Sequence, residues 1–193
     1  MRAAVRSMSI STPDVLELVE AFQPVPYAWA VASLEQTIDL LRSSPVPFDR
    51  VNYDPGHVTA SAVVLSPDGR QVVLVYHDRL ERWLQPGGHV EPGDASLIAT
   101  AQREVLEETG LPVSDHPDPP LVAVDVHEIP ETRREPAHLH HDLMFHFRIA
   151  ELGAPVDDLR WVWCPIADLP RFSVDGALLR GIARALQSPT PLD

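Results

Sequence analysis

A chain of 193 residues with 28 acidic and 15 basic side chains carries a formal net charge of −13, and a surface that acidic excludes long nucleic acids as partners. Small phosphorylated compounds remain open, because a bound cation inverts the local charge. No run approaches the roughly 18 apolar residues of a membrane span, the lone Cys164 excludes an internal disulfide, and Met1 to Ser7 show no secretory apolar stretch, so no membrane is expected and the expected setting is cytoplasmic.

Residues 12 to 43 read as two helices. Thr12-Pro13-Asp14 is a start signal, with Val15, Leu18, Val19 and Phe22 on one face. After Pro24 and Pro26, Val31, Leu34, Ile38 and Leu41 repeat the helical period until Pro45. Residues 1–55 are therefore assigned to an N-terminal helical extension packed on a main domain of residues 56–188. From Val58 the period changes. Thr59 to Leu65 and Gln71 to Tyr76 are β-branched runs joined by the turn Ser66-Pro67-Asp68-Gly69, which predicts a hairpin. An apolar run, Trp83-Leu84-Gln85-Pro86, then breaks at Gly87-Gly88, and residues 96 to 109 take helical spacing with Leu97, Ile98, Ala101 and Val105 as the core stripe. Gly110 sits where a helix C-terminus expects glycine. Leu121 to Val126, Leu143 to Ile149 and Arg160 to Trp163 are further strands, and a last helix runs from about Val174 to Leu186. This order predicts an α/β layered domain.

The chemistry concentrates in Arg103-Glu104-Val105-Leu106-Glu107-Glu108-Thr109-Gly110-Leu111. On a helix, Glu104, Glu107 and Glu108 share one face, and like charges at i,i+3 and i,i+4 destabilise it by a few tenths of a kcal/mol each. Such a pattern alone is most often a solvated face. Behind a Gly-Gly loop, where backbone approaches a ligand closely, it makes sense as a divalent-cation site, and carboxylate oxygens suit Mg²⁺ or Mn²⁺.

The stretch from Gly88 to Leu111 resembles the Nudix box, G-x5-E-x7-R-E-U-x-E-E-x-G-U, with U a bulky aliphatic residue. Gly88, Arg103, Glu104, Val105, Glu107, Glu108, Gly110 and Leu111 fill its fixed positions. Two departures stand out: Asp94 replaces the first Glu, and eight residues, Ala95 to Gln102, occupy a space of seven. The extra residue is expected between Asp94 and Leu97, with Asp94 or Ser96 capping an unbroken helix, because a loop absorbs an insertion that a helix would not. The resemblance implies an α/β/α sandwich with a mixed sheet and hydrolysis of a diphosphate bond in a small nucleoside-diphosphate-linked compound. It further implies Mg²⁺ or Mn²⁺ held by Glu104 and Glu108, with Glu107 third and the Gly88 carbonyl completing the set. Glu107, Glu104 and Arg103 are the implied catalytic residues, Arg103 orienting Glu104. A homodimer is common for such a fold. Two alternatives remain open at this point: a sensor that binds the same class of ligand without cleaving it, and an isoprenoid diphosphate isomerase, for which Cys164 lies in a poor context.

Residues 135 to 145 hold a second constellation. As a strand, His138, His140 and Asp142 share one face, while Leu139, His141, Leu143 and Phe145 share the other. The first three, together with His89 beside Gly88, are the expected substrate-binding residues. Alternating His and Asp can ligate a metal, bind substrate or supply a base, and equally can line an exposed polar sheet face. Asp125 and His127 fall where they can join this face, and His57 lies near it in sequence. His141 reads as a core histidine, His77 and His116 as surface residues, Cys164 as buried and inert, and Trp83 as either a stacking platform or packing.

Overall fold

The computed structural model describes residues 10–113, 119–149, 151–154 and 159–188, so His116 lies outside the described residues. Both predicted N-terminal helices form, α1 over Thr12–Ala21 and α2 over Ala28–Ser43, the first capped by the Ser11 side chain. The predicted hairpin forms from β1 (Gly56–Leu65) and β2 (Gln71–His77). Two short strands follow, β3 (Arg82–Leu84) and β4 (Gly87–His89), before helix α3 (Leu97–Thr109). Strands β5 (Leu121–Ile129), β6 (His138–Arg148) and β7 (Trp161–Pro165), a 3₁₀ turn over Ile166–Phe172 and helix α4 (Gly176–Ala185) complete the chain.

The seven strands form one mixed sheet, ordered β3-β2-β1-β6-β5, with β4 added to β1 and β7 to β2. Strands β1 and β6 run parallel, from Gly56 beside Leu139 to Leu65 beside Arg148. The other pairings are antiparallel. Every residue of β1 is buried, which matches a strand covered on both faces rather than one alternating core and solvent. One face carries Val58, Ala60, Ala62, Val64, Leu143 and Phe145 and packs against Val15, Val19, Leu40 and Leu41 of the N-terminal helices and Leu97, Ala101 and Val105 of α3. Val63, Leu65 and Met144 on the opposite face meet Leu178, Ile182 and Ala185 of α4. Helices thus cover both faces, giving the expected α/β/α sandwich with a mixed sheet.

Polar contacts also tie α2 to the sheet. The Thr37 hydroxyl donates to the Ser33 carbonyl (2.8 Å) and lies 3.1 Å from His141 Nδ1. Ser33 Oγ accepts the Val126 amide of β5. His141 is accordingly the buried core histidine its apolar neighbours implied.

Candidate active site

Helix α3 begins at Ser96, whose side chain accepts the Ala99 amide (3.1 Å), and ends at Gly110, in the left-handed conformation (φ 71°). It is α-helical throughout from Leu97 to Thr109, so the extra residue is absorbed in the preceding loop. Asp94 is not the cap. It lies in that loop and grips Arg103 with both oxygens, Nε to Oδ1 at 3.2 Å and Nη2 to Oδ2 at 3.0 Å, while accepting from Thr100 and the Glu91 amide. The side chain one methylene shorter than Glu reaches its partner because the loop, not the helix, carries it.

Arg103 spends its remaining donors on the site itself. Nη1 donates to Glu104 (2.8 Å) and Glu107 (3.2 Å), and Nη2 to the His89 carbonyl (2.8 Å). One planar guanidinium therefore fixes the loop, two carboxylates and strand β4, a task for which the flexible point charge of Lys is unsuited. Although burial opposes it, Arg103 together with the Glu91 and Thr100 contacts holds Asp94 below its ordinary pKa.

Beside this clamp, Gly87 and Gly88 bring β4 against α3. The Gly87 amide donates to Glu108 (3.0 Å). A methyl at Gly88 would lie 2.5 Å from Glu104 Oε1, so only glycine lets the strand approach this carboxylate. Glu104 and Glu108 are half-buried, while the Glu107 side chain is 56% exposed. Burial first, then the neighbouring carboxylates, raises the proton affinity of Glu104 and pushes Glu108 up to about 7. Three carboxylates crowded on one face, with the single guanidinium of Arg103 shared between Glu104, Glu107 and Asp94, fit a divalent cation, which relieves both the burial cost and the repulsion.

Alternation along β4 turns His89 away from α3. Its ring lies 5.0 Å from those of His57 and His140. In register, His57 pairs with His140 and His127 with His140, so the expected polar face of β6 is joined by β1 and β5. His89 and His140 form part of the wall of a cleft of about 570 Å³ that also holds Arg50, Arg79, Arg133 and Arg134. These four guanidinium groups face one acid of the lining, Glu135, which lies 3.7 Å from Arg50, so the cleft is locally basic in a chain of net charge −13. His77 also borders this cleft and is half-buried, so it is not a plain surface residue.

His138 and Asp142 lie deeper. Asp142 is buried and accepts from Ser61 (2.5 Å), Thr59 (3.1 Å) and Gln85 (3.4 Å), which makes it an interior anchor between β1 and β6 rather than a cleft wall residue. Asp125 and His127 bond each other (3.2 Å) on the adjoining strand. Trp83 packs edge-on against Tyr76 and Phe172, so it is packing and no free stacking platform. Cys164 is fully buried, so its thiol lies out of reach of a substrate in the cleft, and burial pushes it up to about 11. Sequence reasoning missed Arg50, Arg79, Arg133 and Arg134, since nothing in their spacing announces that loops gather them around His89 and His140.

The family model of the NUDIX domain matches residues 55–183. Among solved structures, the chain is similar to the dihydroneopterin triphosphate pyrophosphohydrolase of E. coli, at 17% identity and a TM-score of 0.51, over 68% of this chain and 96% of that one. It is also similar to the mutator MutT protein from Bacillus halodurans, at 23% identity and a TM-score of 0.49, over 68% of this chain and 82% of the other. The NUDIX domain of Shewanella oneidensis NrtR, solved with ADP ribose, aligns at 21% identity and a TM-score of 0.49, over 69% and 88% of the two chains.

Proposed function

Since the chain belongs to the Nudix family, we propose that it hydrolyses a diphosphate bond in a small nucleoside-diphosphate-linked compound, using Mg²⁺ or Mn²⁺. The observation that carries this reading is the packing of Glu104 and Glu108 against Gly87-Gly88, with Arg103 locking Glu104, Glu107 and β4 into one unit. Glu104, Glu108, Glu107 and the Gly88 carbonyl would hold the cation, which when bound neutralises phosphate charge and lowers the pKa of an attacking water. Arg103 positions Glu104 and Glu107 and itself stays charged. Glu107, the most exposed of the three acids, is the carboxylate most open to substrate and water.

Substrate phosphates dock in the arginine-lined cleft, with His89 and His140 as hydrogen-bonding partners on its inner wall. The two regions meet along β4, where Gly88 touches the acidic helix and His89 the cleft. His138 and Asp142 act one layer behind, as supports of that wall. The activity of the E. coli neighbour, a pyrophosphohydrolase of a pterin triphosphate, falls in the same reaction class. A main domain of residues 56–188 carries this chemistry, with residues 1–55 as its helical extension.

A phosphate-release screen over nucleoside diphosphate derivatives, with Mg²⁺ or Mn²⁺, tests the proposal. Turnover should require the cation and vanish in Glu108→Gln while the protein stays folded. Unchanged turnover in that variant refutes the assignment, and ligand binding without turnover in the native chain identifies a sensor instead.

A further inference from the structure

On the side of β4 away from the acidic helix, three imidazoles converge. One nitrogen each from His57, His138 and His140 lies within 4.8 Å of the others. Backbone carbonyls already set two of the rings. His57 Nδ1 is 3.2 Å from the Asn52 carbonyl, and His138 Nδ1 is 2.8 Å from the Pro136 carbonyl. A carbonyl only accepts, so both Nδ1 atoms carry the proton and both Nε2 atoms present a lone pair. His57 is 1% exposed, and its buried Nε2 has no hydrogen-bond partner. A buried acceptor left in this way destabilises the fold, a cost that a ligand would remove. The Nε2 atoms of His138 and His140 stand 3.3 Å apart, the separation of two nitrogens across a tetrahedral zinc with bonds of about 2.0–2.1 Å.

We propose that His57, His138 and His140 form a zinc site whose fourth position opens toward the arginine-lined cleft. An Nδ1–H held by a backbone carbonyl with Nε2 toward the metal is the arrangement by which proteins orient ligating histidines. Three nitrogens suit Zn²⁺, whereas the carboxylates of α3 suit Mg²⁺ or Mn²⁺, so the two donor sets divide the cations between them. Burial and the mutual repulsion of the rings favour the neutral, ligating form of His57 and His140. His140 is shared with the wall of the cleft, so the open position is within reach of water or a phosphate oxygen. The site needs no hydrolysis and stands independently of the acidic helix.

Untagged protein titrated with Co²⁺, a spectroscopic stand-in for Zn²⁺, should bind one equivalent with the visible bands of tetrahedral cobalt, displaced by Zn²⁺ but not by Mg²⁺. His140→Ala and, separately, His138→Ala should weaken Zn²⁺ binding measured calorimetrically by at least about 100-fold, since even outer-shell partners are worth 10–100-fold. Glu104→Gln with Glu108→Gln should leave it within about twofold, and circular dichroism should confirm that each variant is folded. Inorganic phosphate should shift the cobalt bands. The proposal is overturned by a native chain without tetrahedral cobalt bands, by undiminished Zn²⁺ affinity in both histidine variants, or by loss confined to the glutamate variant. An unshifted spectrum in phosphate refutes the open fourth position.

Discussion

Two adjacent glycines answer to different parts of the molecule, and a single added methyl separates them. At Gly88 that methyl would lie 2.5 Å from Glu104 Oε1 and 2.7 Å from its Cδ. Ordinary contact requires roughly 3.5 Å, so the carboxylate must retreat by about 1 Å. The atoms in the way are the end of a flexible side chain, and alanine restricts the unfolded chain more than glycine does, so the net loss of stability should stay near 1 kcal/mol. Activity is another matter, because a displacement of about 1 Å at a reacting centre costs on the order of 100-fold. At Gly87 the methyl would instead meet the backbone of β1, 2.7 Å from Ser61 Cα and 2.9 Å from the Ala60 carbonyl oxygen. Backbone cannot swing aside, so overpacking of about 1–3 kcal/mol is expected there. Gly88→Ala should therefore lose kcat with a nearly native urea midpoint, whereas Gly87→Ala should lose stability first. The assays are kcat on whichever compound the screen identifies and urea unfolding of each variant. Native kcat in Gly88→Ala, or a loss that merely tracks stability in both variants, would show that the Glu104–Gly88 contact has no part in catalysis.

Asp94→Asn keeps the volume but removes the charge that Arg103 grips through two hydrogen bonds; a loss of about 1.5–3 kcal/mol in urea unfolding and at least a tenfold fall in kcat are expected, and native behaviour would show the clamp to be ornamental. Thr37→Val should destabilise the fold by about 1–3 kcal/mol, because His141 Nδ1 loses its partner inside the core; an unchanged melting temperature would contradict this. His146, buried on β6, is held down to about 4 by burial and then by Arg148. Its native pKa lies below the unfolded value of about 6.5, so the unfolded chain takes up a proton that the native one refuses as pH falls. His146 by itself should thus remove about 1.4 kcal/mol of stability per unit between pH 6.5 and 4, and His146→Gln should lose about 2 kcal/mol less than the native chain between pH 7 and 5. Parallel pH profiles for the two proteins would refute that assignment.

Long elements with sustained patterns were legible in the sequence. The stripe Leu97, Ala101, Val105 marked α3, and Ser66-Pro67-Asp68-Gly69 marked the turn between β1 and β2. Strands β3 and β4, three residues each, were invisible because alternation needs more than three positions to register. The acidic half of the site could be read from i,i+3 and i,i+4 spacing, which a helix converts directly into proximity. Asp94 was harder, since the same residue type suits a cap and a clamp, and only the loop path decides between them. The histidine face was half legible: alternation along β6 separated His138 and His140 from His141, but the pairing with His57 rests on a parallel register between strands about 80 residues apart. The cleft arginines come from separate loops and carry no local signal at all.

The way α1 and α2 are built into the sheet has a practical consequence. Val15, Val19, Leu40 and Leu41 share one apolar core with β1, β6 and α3, although they lie outside the residues by which the family is recognised. Each such side chain contributes about 1.5–3 kcal/mol when buried, so the four together rival the whole stability of an ordinary domain. A fragment trimmed to residues 55–183 would keep every acid of α3 and every histidine of the cluster, yet bare a greasy sheet face and strand the imidazole of His141. The chemistry is therefore not a portable cassette: its smallest transplantable form begins upstream of Ser11, where the first helix is capped.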